Sequence, residues 1–246
     1  MFDQSIFFKY RAINANTLYS LQSSQVWFAN RSQLNDPFDC NPEIIKDISD
    51  NNVDEILDSF GFSLVGSARH KEKIEWLENF LLKYIDQAGV YCVTRNPSNE
   101  LMWAHYGDGH RGIVIGHKVR KEYINNREYP HRTPQPVKYD GRGKARMSDL
   151  YTSRLKKEGA DEAFSRMIQE VYFSKTNAWS YEEEYRFLSV REYGVKDINA
   201  AITIVIYGAR TPEHHISLVQ NLISKEVSQY RTIITGNGMK ILPFEE

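Results

Sequence analysis

Strand-like and helix-like stretches follow one another in this chain without a repeating βαβ order, and this irregularity favours an α+β fold. Apolar residues at helical spacing predict helices over residues 70–87, over 153–173 and from Thr211 onward, with Thr211 as the cap and Pro212 in the first position of the last. Strands are predicted where β-branched and aromatic residues cluster, at 7–12, 26–30, 89–95, 111–119 and 201–208, with a hairpin at 232–244.

Length and composition predict one globular domain over residues 1–246, with 41% hydrophobic and 26% charged residues. No apolar run approaches the roughly 18 to 20 residues that span a bilayer, and the amino terminus lacks the charge order of a signal peptide. We therefore expect a cytoplasmic protein with no membrane partner. Cys40 and Cys92 are the only cysteines, which excludes a disulfide framework and a thiolate-rich zinc site.

The net charge of −1 hides two opposed segments. Residues 36–62 contain eight acidic residues and one lysine, whereas residues 117–157 contain twelve basic and four acidic residues. Prolines and glycines among these bases predict a basic, loop-rich insertion at about 118–157, with a short strand at PVKY (136–139). Its tyrosines alternate with basic residues, a combination used for phosphate contact and base stacking, although a solvated loop has the same composition. The candidate nucleic-acid contacts are Lys138, Arg142, Lys144 and Arg146.

The segment AWSYEEEYRFL (178–188) places three glutamates in succession before an arginine. In a strand, Glu182, Glu184 and Arg186 share one face and Glu183 points to the other. In a helix, Ser180 and Glu183 form a capping box instead, and Glu182 pairs with Arg186. The first interpretation gathers two carboxylates and a guanidinium, whereas the second describes a solvated surface.

Two further motifs carry candidate side chains. The NDPFD turn presents Asp36 and Asp39 on either side of a rigid Pro-Phe pair, where they orient a ligand or simply cap a turn. MWAHY brings Trp103, His105 and Tyr106 together, where they stack a ligand, supply a general base or belong to the core. The histidine spacing matches no defined metal site, so no metal is expected.

Taken together, FFKYR, VWFANRSQLNDPFDC, LMWAHYGDGHRGIVIG, PVKYD and AWSYEEEYRF resemble, in order and spacing, a bacterial family catalogued as domain of unknown function 2971 (DUF2971). The resemblance covers residues 7 to about 208. It implies a common fold, but little about activity.

The chain also resembles ADP-ribosyltransferase-like toxin domains, through an early strand with an arginine, an aromatic second strand and a late ExE pair. This resemblance implies a split β-sheet core with peripheral helices and NAD as substrate. Arg11 then corresponds to the residue that holds NAD, and Ser32 lies in the segment that shapes the nicotinamide pocket. Glu184 corresponds to the residue that stabilises the ribosyl cation, and Glu182 to its partner. No Ser-Thr-Ser element stands where that family has one.

These implications define a working hypothesis of an NAD-dependent ADP-ribosyltransferase, a toxin or phage-defence effector that modifies RNA or DNA, or else protein. Glu184, Glu182 and Arg11 are its predicted catalytic residues, and a neutralising antitoxin or regulatory protein is a candidate partner. The alternatives are a metal-dependent nuclease or phosphotransferase that uses Asp36, Asp39 and His105, and a non-enzymatic nucleic-acid or nucleotide-binding module. The predicted NAD-binding residues are Tyr10, Arg11, Ser32, Asn35, Asp36, Trp103, His105 and Tyr106.

Overall fold

A computed structural model describes residues 2–59, 61–62, 69–124, 132–139 and 167–244. The strands are β1 (Ile6–Arg11), β2 (Val26–Phe28), β3 (Gly89–Thr94), β4 (Ile113–Val119), β5 (Gln135–Pro136), β6 (Glu184–Ser189), β7 (Gly194–Lys196), β8 (Ala200–Tyr207), β9 (Ser228–Thr235) and β10 (Gly238–Pro243). The α-helices are α1 (Ala15–Ser23), α2 (Val53–Ser59), α3 (His70–Gln87), α4 (Glu100–His105) and α5 (Glu213–Gln220), and residues 167–172 are also helical. Short 3-10 helices span Arg31–Gln33, Pro42–Asp47, Lys121–Tyr123 and Asn177–Glu182.

Eight strands form one sheet in the order β10-β9-β8-β4-β1-β3-β6-β5. Neighbouring strands run antiparallel except for the parallel pair β8 and β9, so the sheet is mixed. A separate two-stranded sheet joins β2 to β7. Helices packed around a large mixed sheet confirm the predicted α+β class.

The large sheet is weakly joined between β1 and β3. These strands are in register at a single pair, Phe8 opposite Thr94. By contrast, β1 pairs with β4 at six positions, and β3 pairs with β6 at six. Because regularly spaced backbone hydrogen bonds hold antiparallel strands together, β1 and β3 are free to separate beyond that pair. A cleft opens between them, with residues of both strands in its walls.

Helices on the β3–β6 side of the sheet fix the position of β6. Leu77, Leu81 and Ile85 recur at intervals of four along α3, which places them on one helix face. They are fully buried in a cluster that includes Leu188 of β6. Full burial of such a side chain contributes about 1.5 to 3 kcal/mol. The strand that carries the acidic motif is therefore anchored by its apolar neighbours.

Two local predictions were wrong in detail. Thr211 does not cap α5, because its hydroxyl donates a hydrogen bond of 2.8 Å to the carbonyl of Gly112, and Pro212 stands at the cap instead. The strand predicted at 26–30 is confined to Val26–Phe28, because the side chain of Asn30 caps the following 3-10 helix. The hairpin predicted at 232–244 is confirmed by β9 and β10.

The basic segment is described in part. Residues 118–119 complete β4, and the strand predicted at PVKY (136–139) lies slightly earlier, at Gln135–Pro136. The helix predicted at 153–173 is described from residue 167, where it is helical to residue 172; its earlier part lies outside the described residues. Of the helices in the described ranges, none has both the length and the apolar character needed to cross a bilayer.

Candidate active site

The acidic motif changes conformation at Glu183. A 3-10 helix ends at Glu182, and β6 begins at Glu184. Glu183 between them has φ 46° and ψ 47°, in the left-handed region, and its exposed carboxylate accepts a hydrogen bond of 3.1 Å from Asn96. Glu182 and Glu184 are both buried. Neither a continuous strand nor a capped helix describes the segment, but Glu183 still points away from the other two glutamates.

Lys175 joins the two buried glutamates. Its Nζ lies 2.6 Å from Oε2 of Glu182 and 3.1 Å from Oε2 of Glu184. The same ammonium lies 3.4 Å from Oδ2 of Asp39. These four side chains are each at most 5% exposed. Charges that have lost so much hydration are tolerated only with close partners, so each of these groups depends on the others.

Arg186 completes the arrangement from β6. Its Nε and Nη2 bind the two oxygens of Glu184 at 2.7 and 3.0 Å, in the two-point geometry that suits guanidinium and carboxylate. Nη2 also lies 2.6 Å from Oδ2 of Asp39, and Nη1 donates a 2.8 Å hydrogen bond to the carbonyl of Tyr172. We call this group the carboxylate cluster: Asp39, Glu182 and Glu184 with Lys175 and Arg186.

The NDPFD turn supplies Asp39 to the carboxylate cluster. Oδ1 of Asp36 accepts a 2.9 Å hydrogen bond from the amide of Phe38, and its carbonyl accepts one from the amide of Asp39. Asp36 therefore shapes the turn in the manner of an Asx residue. Asp39 leaves the turn toward Arg186, so the two aspartates have different roles.

The two glutamates of the carboxylate cluster hold protons with different strength. Burial raises the pKa of Glu184, but the positive charges of Arg186 and Lys175 lower it by a larger amount. The net pKa is therefore well below the usual range of a glutamate. Burial and then the charge of Glu184 raise the pKa of Glu182, and the contacts with Lys175 and Tyr106 offset only part of this. Carboxyl groups whose pKa values are pushed apart are suited to separate acid-base roles. Glu184 stays ionised, and Glu182 is the stronger base.

Tyr106 connects Glu182 to the opening of the site. Its hydroxyl donates a 2.6 Å hydrogen bond to Oε1 of Glu182 and accepts one of 2.9 Å from the side-chain amide of Asn35. Burial, followed by the contact with Glu182, raises the pKa of Tyr106. The phenol therefore remains protonated and able to donate near neutral pH.

The cleft between β1 and β3 encloses about 260 Å³, and Glu182 and Glu184 line it. Lys9 and Arg11 of β1 line it too, and Nζ of Lys9 lies 5.2 Å from the centroid of the Tyr91 ring. Within the part of the chain that the structure describes, neither cation forms an ion pair. We call Lys9 and Arg11 the β1 cations. The cleft thus combines paired carboxylates with unpaired positive charge.

Six of the predicted site residues line this cleft. They are Tyr10, Arg11, Asn35, Tyr106, Glu182 and Glu184.

Four predicted NAD-binding residues do not line it. Trp103 is completely buried, and its indole donates a 2.9 Å hydrogen bond to the carbonyl of Pro97, so it belongs to the core. His105 is exposed on α4 beside the ring of Tyr106. Ser32 is exposed on its 3-10 helix, and Asp36 is committed to its turn.

The strand between Arg11 and the glutamates is not the predicted one. The ADP-ribosyltransferase resemblance assigned this place to residues around 26–32, but β3 separates β1 from β6. β3 contributes Tyr91, Cys92 and Val93 to the cleft, while Trp27 of β2 and the following residue Ala29 also line it. The aromatic segment therefore lines the cleft from the two-stranded sheet rather than from the large sheet.

Lys9 and Lys175 were not predicted. Lys9 stands two residues before Arg11 in FFKYR, so period-2 alternation already places both on one strand face. Lys175 is the single charged residue of the largely apolar stretch VYFSKTNAW. A lysine in such a stretch indicates burial, and a buried lysine is almost always paired with an acidic group.

Of the four predicted nucleic-acid contacts, the structure describes one, Lys138. Lys138 is exposed, and its backbone bonds to Phe173 and Lys175 tie the edge of the basic segment to the carboxylate cluster. Arg142, Lys144 and Arg146 lie outside the described residues.

The residues of the nuclease alternative are not brought together. Asp39 is paired with Arg186 and Lys175, whereas His105 is exposed on α4. The described ranges contain no group of three or more His, Cys, Asp or Glu side chains arranged to hold a metal ion.

Comparison with known families adds one finding. The family described as "Protein of unknown function (DUF2971)" matches residues 102–187, from α4 through Tyr106 and Lys175 to β6. Comparison with curated proteins and with solved structures gave no significant match. The match includes MWAHY and the acidic motif but not the NDPFD turn, and it confirms the resemblance of this chain to DUF2971 over residues 102–187.

Proposed function

We propose that the cleft between β1 and β3 binds NAD and that the protein transfers ADP-ribose from it to an acceptor. One observation carries this proposal: Glu182 and Glu184 lie in the same cleft as Arg11, where the sheet splits. A cleft with carboxylates and an unpaired guanidinium suits a substrate that has both a positively charged ring and a diphosphate.

The size of the cleft and the chemistry of its walls agree with part of this substrate. Ligand pockets commonly enclose about 300 to 1,000 Å³, so the cleft, at about 260 Å³, suits one half of a dinucleotide. Trp27, which is exposed, offers an aromatic surface for a planar ring. Arg11 offers two-point hydrogen bonding to phosphate oxygens.

The carboxylate cluster suits the bond cleavage. The glycosidic bond between the ribose carbon and nicotinamide breaks, and nicotinamide leaves with the bonding electron pair. Positive charge develops on the ribose, and the ionised Glu184 stabilises it. The acceptor then attacks the ribose carbon and gives its proton to Glu182, whose raised pKa suits a general base.

The acceptor we propose is RNA or DNA. Twelve bases in residues 117–157 and the position of Lys138 beside the carboxylate cluster support it. Charge reversal at Arg142, Lys144 and Arg146 is expected to weaken binding of an oligonucleotide about equally for all sequences, and binding is expected to fall steeply with salt. A flat salt dependence would leave protein as the acceptor.

A toxin or phage-defence role follows from the proposed activity. Modification of nucleic acid harms the cell that makes the enzyme, so a neutralising antitoxin or regulatory partner is part of the proposal. Co-expression with genes adjacent to its own, scored by cell growth, tests this point.

The decisive experiment follows both products of the reaction. The protein is incubated with NAD and an RNA or DNA oligonucleotide, and free nicotinamide and the oligonucleotide mass are measured. We expect nicotinamide release together with the mass gain of one ADP-ribose unit. If neither appears with nucleic acid or protein acceptors while the protein remains folded, ADP-ribosyl transfer is rejected.

A further inference from the structure

Lys9 is a cation of the cleft that lacks an anionic partner. Its ammonium lies 5.2 Å from the centre of the Tyr91 ring. The carboxylates that act on its charge are Glu184 and Glu182. Both are already bound by Lys175, and Glu184 is bound by Arg186 as well. Within the described residues, Lys9 has no ion pair.

A charge in this position works against folding. Burial lowers the pKa of Lys9 most, and Arg11 lowers it as well, while Cys92, Glu184 and Glu182 oppose this decrease. Between this lowered value and the usual lysine pKa, the unfolded chain binds more protons than the folded one. Stability therefore rises with pH through that range, and charged Lys9 destabilises the fold at neutral pH. Proteins keep an unfavourable charge of this kind mainly at functional sites, where a ligand supplies the missing partner.

Lys9 and Arg11 are spaced to bind two anionic groups of one ligand. They are two residues apart on β1, so they share a strand face at a spacing of roughly 7 Å. Tyr91 supports Lys9 through a cation–π contact without neutralising it. An ammonium and a guanidinium side by side match a diphosphate better than a single carboxylate.

We propose that Lys9 is a ligand-binding residue that acts with Arg11 on the diphosphate of a nucleotide. The identity of the whole ligand as NAD rests on the proposed function, but recognition of the diphosphate does not. Lys9 is then the residue that distinguishes a nucleoside diphosphate from an uncharged nucleoside.

The experiment measures binding without turnover. Calorimetric titration with ADP, adenosine and inorganic diphosphate compares the unmodified protein with Lys9→Met and with Lys240→Met. Lys240 is an exposed strand lysine on β10, which three strands separate from β1; it does not line the cleft and serves as the control. Melting temperatures of all three proteins are measured near pH 7.

We expect ADP to bind at least about tenfold more tightly than adenosine and inorganic diphosphate to compete with it. Lys9→Met is expected to weaken ADP binding by about tenfold or more, to leave adenosine binding unchanged and to keep or raise the melting temperature. Lys240→Met is expected to match the unmodified protein.

Two results overturn the inference. One is equal ADP binding by Lys9→Met and the unmodified protein, which includes the absence of ADP binding in both. The other is a lower melting temperature for Lys9→Met, which assigns Lys9 a structural role on Tyr91. If the unmodified protein releases no nicotinamide and transfers no ADP-ribose while Lys9→Met loses ADP binding, only the transferase proposal fails.

Discussion

The carboxylate cluster and the β1 cations share one cleft but differ in how their charges are satisfied. Every carboxylate of the cluster has a cation within 2.6 to 2.7 Å. Lys9 and Arg11, on the β1 side of the cleft, have no ion pair within the described residues. The charges of the carboxylate cluster are thus paired without a ligand, whereas those of the β1 cations are not.

This difference separates two kinds of functional residue. A buried ion pair contributes little net stability, but removing one member leaves an uncompensated charge and is costly. Removing an unpaired cation leaves no charge uncompensated, so its loss is expected to weaken ligand binding without a loss of stability. Substitutions in the carboxylate cluster should therefore lower both stability and activity. Substitutions of the β1 cations should weaken ligand binding while the protein keeps its stability.

The largest effect is expected from Arg186→Met. Arg186 is completely buried, and its loss leaves Asp39 and Glu184 without their shared guanidinium. Breaking a buried pair in this way costs about 3 to 5 kcal/mol of unfolding free energy. Urea denaturation followed by circular dichroism measures it. Arg111→Met, at an exposed pair with Asp108, is the control and is expected to change nothing measurable. Equal stability of the two variants would contradict the importance of the cluster.

Glu184→Gln is expected to lower NAD turnover by on the order of 10²-fold while NAD still binds. Glutamine keeps the size and most hydrogen bonding of the side chain but removes the charge proposed to stabilise the ribose cation. Nicotinamide release measures turnover, and calorimetry measures binding. Glu183→Gln is the adjacent control, because Glu183 is exposed and points away from the cleft. Equal loss in both variants would exclude the proposed division of roles.

Arg11→Ala tests the β1 cations through affinity. Loss of one charge-assisted contact is expected to weaken NAD binding by about 1.5 to 3 kcal/mol and to leave unfolding by urea unchanged. Arg231→Ala, at a surface pair on β9, is the control. Unchanged NAD affinity would remove Arg11 from the site.

The sequence alone predicts the part of the site that depends on local alternation. Arg11 lines the cleft on the same strand face as Lys9 because neighbouring residues of β1 alternate between faces, whereas the ring of Tyr10 packs against Trp103. Glu182 and Glu184 do converge, but through a left-handed residue at Glu183 that no strand pattern contains. Strand alternation therefore predicted that Glu182 and Glu184 lie together, although the backbone at Glu183 is not that of a strand.

Long-range pairing could not be predicted in the same way. Asp39 reaches the cluster from 147 residues before Arg186, and the partner of a buried charge is set by tertiary packing even for Lys175, which is only seven residues from Glu182. The place of β3 between β1 and β6 is likewise a matter of strand order, which local propensity does not encode. Trp103 was misassigned because a buried aromatic and a ligand-stacking aromatic look alike in sequence.

The smallest effect is expected from Tyr106→Phe, which changes one hydrogen bond at the junction of the cluster and the cleft mouth. The Tyr106 hydroxyl donates to Glu182 and favours its ionised form, although burial and Glu184 still raise the pKa of Glu182 overall. Without this donor the pKa of Glu182 rises further, so a larger fraction of the base is protonated at a given pH. Turnover should fall by roughly three- to tenfold near neutral pH.

The acid limb of the pH–kcat profile should also move to higher pH, by less than about one unit. Tyr181→Phe is the control, because Tyr181 belongs to the same 3-10 helix as Glu182 but does not line the cleft. Urea denaturation of both variants separates a change in the base from a change in the fold. If the acid limb of Tyr106→Phe stays in place, Glu182 is not the base. Removal of the hydroxyl that donates to Glu182 would then have changed the pKa of a group that does not control the rate.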